Sequence, residues 1–128
     1  EPPKKSKGKA KKRPKSSGGG LEPADLGEGA KDLEVLLLGR SCKILVHEIG
    51  HLLGVDHCVH FRCVMNGSGH LAEDFRQPAH MCPVDLRKLK VLTGANLPAR
   101  YEVLLAFYQR EKMVEEAAWV ERRLSWIG

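Results

Sequence analysis

Apolar side chains are almost absent from residues 1–20 and recur at helical spacing through most of the chain beyond them. A segment with so little apolar surface cannot offset the entropy lost on ordering, so residues 1–20 read as disordered. The Gly, Glu, Asp and Ala of residues 21–32 continue that tail as a polar linker, and Asp32 is placed to cap a helix beginning near Leu33. A basic tail and linker over 1–32 and a folded part over 33–128 are the expected division.

From Leu33 to Val55, the positions Leu36, Leu37, Ile44, Leu45, Ile49, Leu52 and Leu53 predict a helix that packs through these residues and keeps its histidines on a separate face. The run Glu34–Leu38 also fits a short buried strand feeding a helix from Ser41, because three successive leucines satisfy either period. Gly39 weakens an unbroken helix, and Cys42 reads as a core thiol. Further on, Pro83 followed by Val84, Leu86, Leu89, Val91 and Leu92 predicts a short helix closed by Gly94. Pro98 opens the next. Tyr101, Leu104, Leu105 and Tyr108 stand at i, i+3, i+4 and i+7, and Met113, Ala117, Val120, Leu124 and Ile127 continue a helical stripe. Trp119 and Trp126 are expected to close a small core. The chain is therefore expected to be mostly α-helical.

Composition sets the scale. With 128 residues, 42% of them hydrophobic, the chain suits one small domain. The net charge of +5 comes from the tail: Glu1 to Gly20 carries eight Lys and Arg against one acid, whereas Leu21 to Gly128 carries thirteen against fifteen. The cluster Lys11-Lys12-Arg13-Pro14-Lys15 fits a nuclear-import address, a nucleic-acid phosphate contact or a solvated linker, and no aromatic residue interleaves there to stack bases. No apolar run reaches the length of a membrane span, and the basic N-terminus lacks the apolar segment of a secretory signal, so an intracellular setting, cytoplasm or nucleus, is expected. In that compartment four cysteines read as free thiols or metal ligands before disulfides.

The chemistry concentrates in His47-Glu48-Ile49-Gly50-His51-Leu52-Leu53-Gly54-Val55-Asp56-His57. Residues four apart lie one above the other on a helix, so His47 and His51 can offer two ring nitrogens to one metal ion. Gly54 allows the helix to end in a left-handed turn, which brings His57 back as a third ligand. Glu48 can reach a water at the open fourth position of a zinc ion and act as general base. This is the extended metzincin signature, with its glycine and third histidine in place. A second constellation comes directly after it: Cys58, Cys63 and Met65, then Cys82-Pro83-Val84-Asp85.

The combined run, His-Glu-x-x-His-x-x-Gly-x-x-His-Cys-x4-Cys-x-Met with a later cysteine, resembles the archaemetzincins, metzincin-like zinc peptidases, from about Leu36 to Tyr108. The resemblance implies an α+β zincin-like fold, peptide or protein substrates, an aminopeptidase preference and two zinc ions. It implies that His47, His51 and His57 bind the catalytic zinc, that Glu48 is the base, and that Met65 is the methionine of the turn beneath the site. Cys58, Cys63 and Cys82 would hold the structural zinc. Where the family has its last cysteine this chain has Asp85, a harder oxygen ligand that zinc holds less firmly than thiolate. His60, His70 and His80 stand nearby as other fourth ligands but read as surface histidines.

On physical grounds Met65 fits a soft, polarizable floor under the imidazoles or an ordinary core methionine, with the resemblance favouring the floor, and Gly67 offers the permissive dihedrals of a turn. In the family a mostly parallel sheet precedes the active helix, and its edge strand binds the substrate backbone. Only 46 residues precede His47. The expectation is the C-terminal part of a catalytic domain whose upstream sheet is largely missing. The rival reading is a noncatalytic zinc scaffold or an inactive truncated isoform.

Overall fold

A computed structural model describes residues 28–127, and all regular structure within them is helical: α1 (Glu28–Leu52), α2 (Leu71–Arg76), α3 (Pro83–Thr93), α4 (Leu97–Arg110) and α5 (Val114–Ile127). The basic tail and the first part of the linker lie outside the described residues. None of the helices is long and apolar enough to cross a membrane.

α1 is one continuous helix, so the alternative strand at Glu34–Leu38 is corrected, and Asp32 lies inside the helix and does not cap it. The side of α1 that packs is also different from the expected one. Leu36, Leu37, Ile44, Leu45, Ile49, Leu52 and Leu53 are all exposed, Leu52 at 86% and Leu45 at 60%. The core is instead met by Val35 and Val46 and by the buried Gly50, with Gly39 and Cys42 between them in half-buried positions. These five residues succeed one another at spacings of four and three, which makes one face of a helix. That face carries small residues because α1 comes close to its neighbours: a Cβ on Gly39 would stand 3.2 Å from Met113 Cε. Bulk along the sequence marked the wrong side.

α3 and α4 obey the expected stops and starts, whereas α2 is a helix that no sequence signal announced. α3 begins at Pro83, whose missing N–H costs nothing at a first helical position, and ends at Gly94 in the left-handed region with φ 68°. α4 is capped by Asn96, whose side chain accepts from the Ala99 N–H, and carries Pro98 in its first turn. α4 and α5 pack together as a helical hairpin joined through Lys112, at φ 58°. Tyr101, Tyr108, Met113, Ala117 and Val120 are buried there and join Val55, Cys63, Val64, Met65, Met81, Cys82 and Leu86 in one core.

Two apolar expectations fail at the periphery. Val84, Val91 and Leu92 face outward on α3, and Trp126 is 84% exposed. Trp119 does pack, with its ring stacked on His80 at a centroid separation of 4.0 Å. His80 is therefore a partly buried stacking residue, and burial beside Arg123 and Arg62 holds its pKa below the usual histidine value.

Candidate metal centres

The end of α1 fixes the geometry of the first centre. Gly54 adopts φ 78°, its N–H reaches the His51 carbonyl at 2.9 Å, and the Val55 N–H reaches the Gly50 carbonyl at 2.9 Å. This pair of bonds is a Schellman motif, and its hydrophobic anchor Val55 is buried. The turn places the Val55 carbonyl 2.9 Å from His51 Nδ1, while the Val64 carbonyl stands 2.8 Å from His47 Nδ1. A carbonyl can only accept, so both Nδ1 atoms carry the proton and both Nε2 atoms present lone pairs.

Those lone pairs converge. His47 Nε2 lies 3.0 Å from His51 Nε2 and 3.2 Å from His57 Nε2. Two bare lone pairs this close repel unless a cation lies between them. Nitrogens each about 2.1 Å from a tetrahedral zinc stand about 3.4 Å apart, so the triad is shaped for such an ion. Three imidazoles suit zinc well among the divalent metals. Glu48 is exposed and lies three residues before His51, on the same side of α1.

Met65 is fully buried under this group. It lies against Gly50, where an added Cβ would stand 2.7 Å from Met65 Cε. Gly67 serves another purpose than the expected one. Among the described glycines only Gly54 and Gly94 have positive φ, so Gly67 is not needed for its dihedrals. It is needed for space, since a Cβ there would be 3.2 Å from His57 Nδ1.

The second centre gathers Cys58, Cys63, Cys82 and Asp85, with one ligand atom of each within 4.8 Å of the others. Cys58 Sγ and Cys82 Sγ are 3.9 Å apart, and the Cys63 thiol is 3.4 Å from Asp85 Oδ2. A disulfide would need about 2.05 Å. Sulfurs each about 2.3 Å from a tetrahedral zinc lie about 3.8 Å apart, and a sulfur and a carboxylate oxygen about 3.5 Å, so the spacing fits a metal and not a bridge. Backbone N–H groups already point at the sulfurs: Cys82 and Met65 donate to Cys63 Sγ at 3.2 and 3.4 Å, and Asp85 donates to Cys82 Sγ at 3.4 Å. Cys82 is the N-cap of α3, so its sulfur takes up one of the free N–H groups of the first helical turn.

Charge within the second centre is uneven. Burial pushes the Cys63 thiol up to about 12, with the Asp85 carboxylate adding to the effect. Burial acts the same way on Cys58, but hydrogen bonds from the His60 and Phe61 backbone outweigh it and lower its pKa. Asp85 is buried, yet its pKa is lowered because Lys88 and Cys63 hydrogen-bond the carboxylate; Lys88 Nζ is 3.0 Å from Oδ1. Asp85 thus turns one oxygen to Lys88 and the other to the cysteines.

The sequence model of peptidase family M54 matches residues 29–91, the stretch that carries both centres. Rat archaemetzincin-2 is 45% identical over 87 residues, which is 68% of this chain and 24% of the relative. Human archaemetzincin-2 is 42% identical over 105 residues, covering 82% and 29%, and human archaemetzincin-1 is 43% identical over 70 residues, covering 55% and 14%. The chain belongs to the archaemetzincin family. It spans about a quarter of the length of the archaemetzincin-2 relatives it matches. No solved structure matches it.

Within this archaemetzincin chain, His60, His70 and His80 stay out of the second centre, and Asp85 is the residue that completes it. Cys42 belongs to neither centre; burial and the Glu111 charge raise its pKa, as suits a thiol left in the packing. Sequence reasoning missed Asn66. Its Nδ2 donates to the Cys58 and Phe61 carbonyls at 2.7 Å each, and its Oδ1 accepts from the Cys63 N–H at 2.9 Å, so one side chain clamps the loop between the two cysteines. The Asn66-Gly67 pair was a visible turn signal, but nothing local showed which backbone groups it would meet.

Proposed function

We propose that this chain carries the metal-binding and proton-transfer machinery of a zinc metallopeptidase acting on peptides, with the aminopeptidase preference that the family resemblance implies. The observation that supports it is the convergence of the ring nitrogens of His47, His51 and His57, with Glu48 exposed on the same helix directly after His47. A zinc ion held there would polarise a peptide carbonyl and acidify a water. The remaining steps belong to the protein. The Val55 and Val64 carbonyls hold His51 and His47 in the tautomer that frees Nε2. Glu48 takes the proton from the attacking water and passes it to the amine nitrogen as the C–N bond breaks. The cysteine and Asp85 group takes a second, structural zinc, which fixes the loop that presents His57 through its neighbour Cys58.

Zinc content after purification without chelator tests this reading. Wild type should carry a zinc that His51→Ala loses; equal zinc in the two would remove the histidine site. Peptide hydrolysis then separates an enzyme from a scaffold. Zinc without turnover in both this chain and a full-length relative would favour the noncatalytic scaffold.

A further inference from the structure

The Val64 carbonyl that orients His47 has a second partner. Gln77, the half-buried residue that caps the C-terminal end of α2, places its side-chain nitrogen 2.6 Å from the Val64 carbonyl and 2.7 Å from the Asn66 carbonyl. Both are acceptors, so only the NH2 end of the amide can face them. Val64 is fully buried, and its own N–H donates to the His80 carbonyl at 2.8 Å. Its carbonyl oxygen thus serves two donors, His47 and Gln77, and has no lone pair to spare.

Gln77 is itself tied to α1. Lys43 Nζ donates to the Gln77 carbonyl at 3.0 Å and to the Asp74 carbonyl at 3.3 Å, and Arg40 pairs with the Asp74 carboxylate at 2.7 Å. Lys43 precedes His47 by one helical turn. The path therefore closes on itself: α1 through Lys43 to Gln77, through its amide to Val64, and back to α1 at His47.

We infer that Gln77 is a positioning residue for the His47 metal ligand: its amide fixes the Val64 carbonyl, which sets the tautomer and ring angle of His47. The inference rests on the zinc reading of the histidine triad. Without the two N–H donors, the Val64 carbonyl is held on one side only, and His47 no longer has a rigid acceptor behind it. Loss of such an outer partner typically weakens metal binding by about 10–100-fold. The plainer reading is that Gln77 only secures α2. Arg40 separates the two, because it secures α2 through Asp74 and does not touch Val64.

Cobalt(II) is a suitable probe, since its visible absorption reports both affinity and coordination geometry. The metal-free full chain is titrated with cobalt against a competing chelator, and the signal absent from His51→Ala defines the histidine site. Gln77→Met removes both donors at similar volume, and Gln77→Glu keeps the shape but can only accept. Each should weaken cobalt at the histidine site by about 10–100-fold and change its band shape, with helical circular dichroism retained. Arg40→Met should lower thermal stability and leave the cobalt signal unchanged. Wild-type affinity in both Gln77 variants, or an equal loss in Arg40→Met, overturns the positioning role. Failure of both Gln77 variants to fold overturns it too, because the residue is then simply structural. A wild-type titration identical to that of His51→Ala would instead sink the histidine site itself, and this inference with it.

Discussion

Met65 lies directly under Gly50, its thioether filling the space where any other residue would place a Cβ. One turn of α1 therefore sits on one methionine, and that turn carries His47 and His51. A glycine inside a helix ordinarily costs about 1 kcal/mol relative to alanine, so Gly50→Ala would be stabilising on propensity alone. Here the added methyl would stand 2.7 Å from Met65 Cε, and the fully buried Met65 has no free side to move into. Overpacking of this kind costs about 1–3 kcal/mol, which exceeds the propensity gain. Gly50→Ala should lower the denaturation midpoint of the metal-free chain and reduce zinc retention. A variant at least as stable as wild type would show that Met65 is not a rigid floor.

The loop between Cys58 and Cys63 depends on Asn66. Asn66→Ala removes three hydrogen bonds of 2.7, 2.7 and 2.9 Å. Each contributes about 0.5–1.5 kcal/mol net, so the loss should be roughly 2–4 kcal/mol, seen as a shift in urea midpoint without a change in slope. The second centre should lose metal with it. Asn66→Asp keeps the acceptor for the Cys63 N–H but not the two donors, and should recover only part of the stability.

The histidine triad was legible because its spacing is dictated by local rules: a helical turn between His47 and His51, then a left-handed glycine at Gly54. The stops and starts at Pro83, Gly94 and Pro98 were legible for the same reason. The packing side of α1 was not, since a helix apolar around most of its circumference does not say which face is used. The buried face proved to be the one with small residues, where the backbone can approach Met65 and Met113. α2 is only six residues long, too short for a periodic signal, and it carries no buried residue. Its cap Gln77 acts on backbone carbonyls eleven and thirteen positions away, a relation no sequence pattern records. Asp85 was visible as a departure from the family, but its bond to Lys88 and its turn toward Cys63 come from the fold.

A zinc ion at the second centre would be held less firmly with Asp85 than with a fourth thiolate. A carboxylate oxygen binds zinc less firmly than sulfur does, and one oxygen of Asp85 is engaged by Lys88. Asp85→Cys should raise zinc content toward two ions per chain and increase thermal stability, because metal that binds only the folded state adds its binding free energy to folding. Freeing Lys88, whose side chain is half exposed, should cost little. Metal analysis by atomic absorption decides it. Unchanged zinc in the cysteine variant would mean that Cys58, Cys63 and Cys82 are not a metal site in this protein.

Glu48 is the residue through which binding and chemistry should come apart. It is exposed, and it is not among the side chains that gather at the histidine centre. Glu48→Gln keeps the size and polarity of the side chain but cannot carry a proton, so the fold and the zinc should remain while any peptidase rate falls. General acid and base catalysis contributes about 10²–10⁴ in rate, roughly 3–5 kcal/mol of barrier, a loss well above assay noise. Because this chain spans about a quarter of its archaemetzincin-2 relatives, the substitution is made in parallel at the matching glutamate of a full-length relative. A rate present in the relative and absent here, abolished by the glutamine, would assign the proton transfer to Glu48 and the remaining substrate contacts to parts of the relative that this chain does not span. Full activity with glutamine in either protein removes Glu48 from the reaction and leaves the proton transfer to another group.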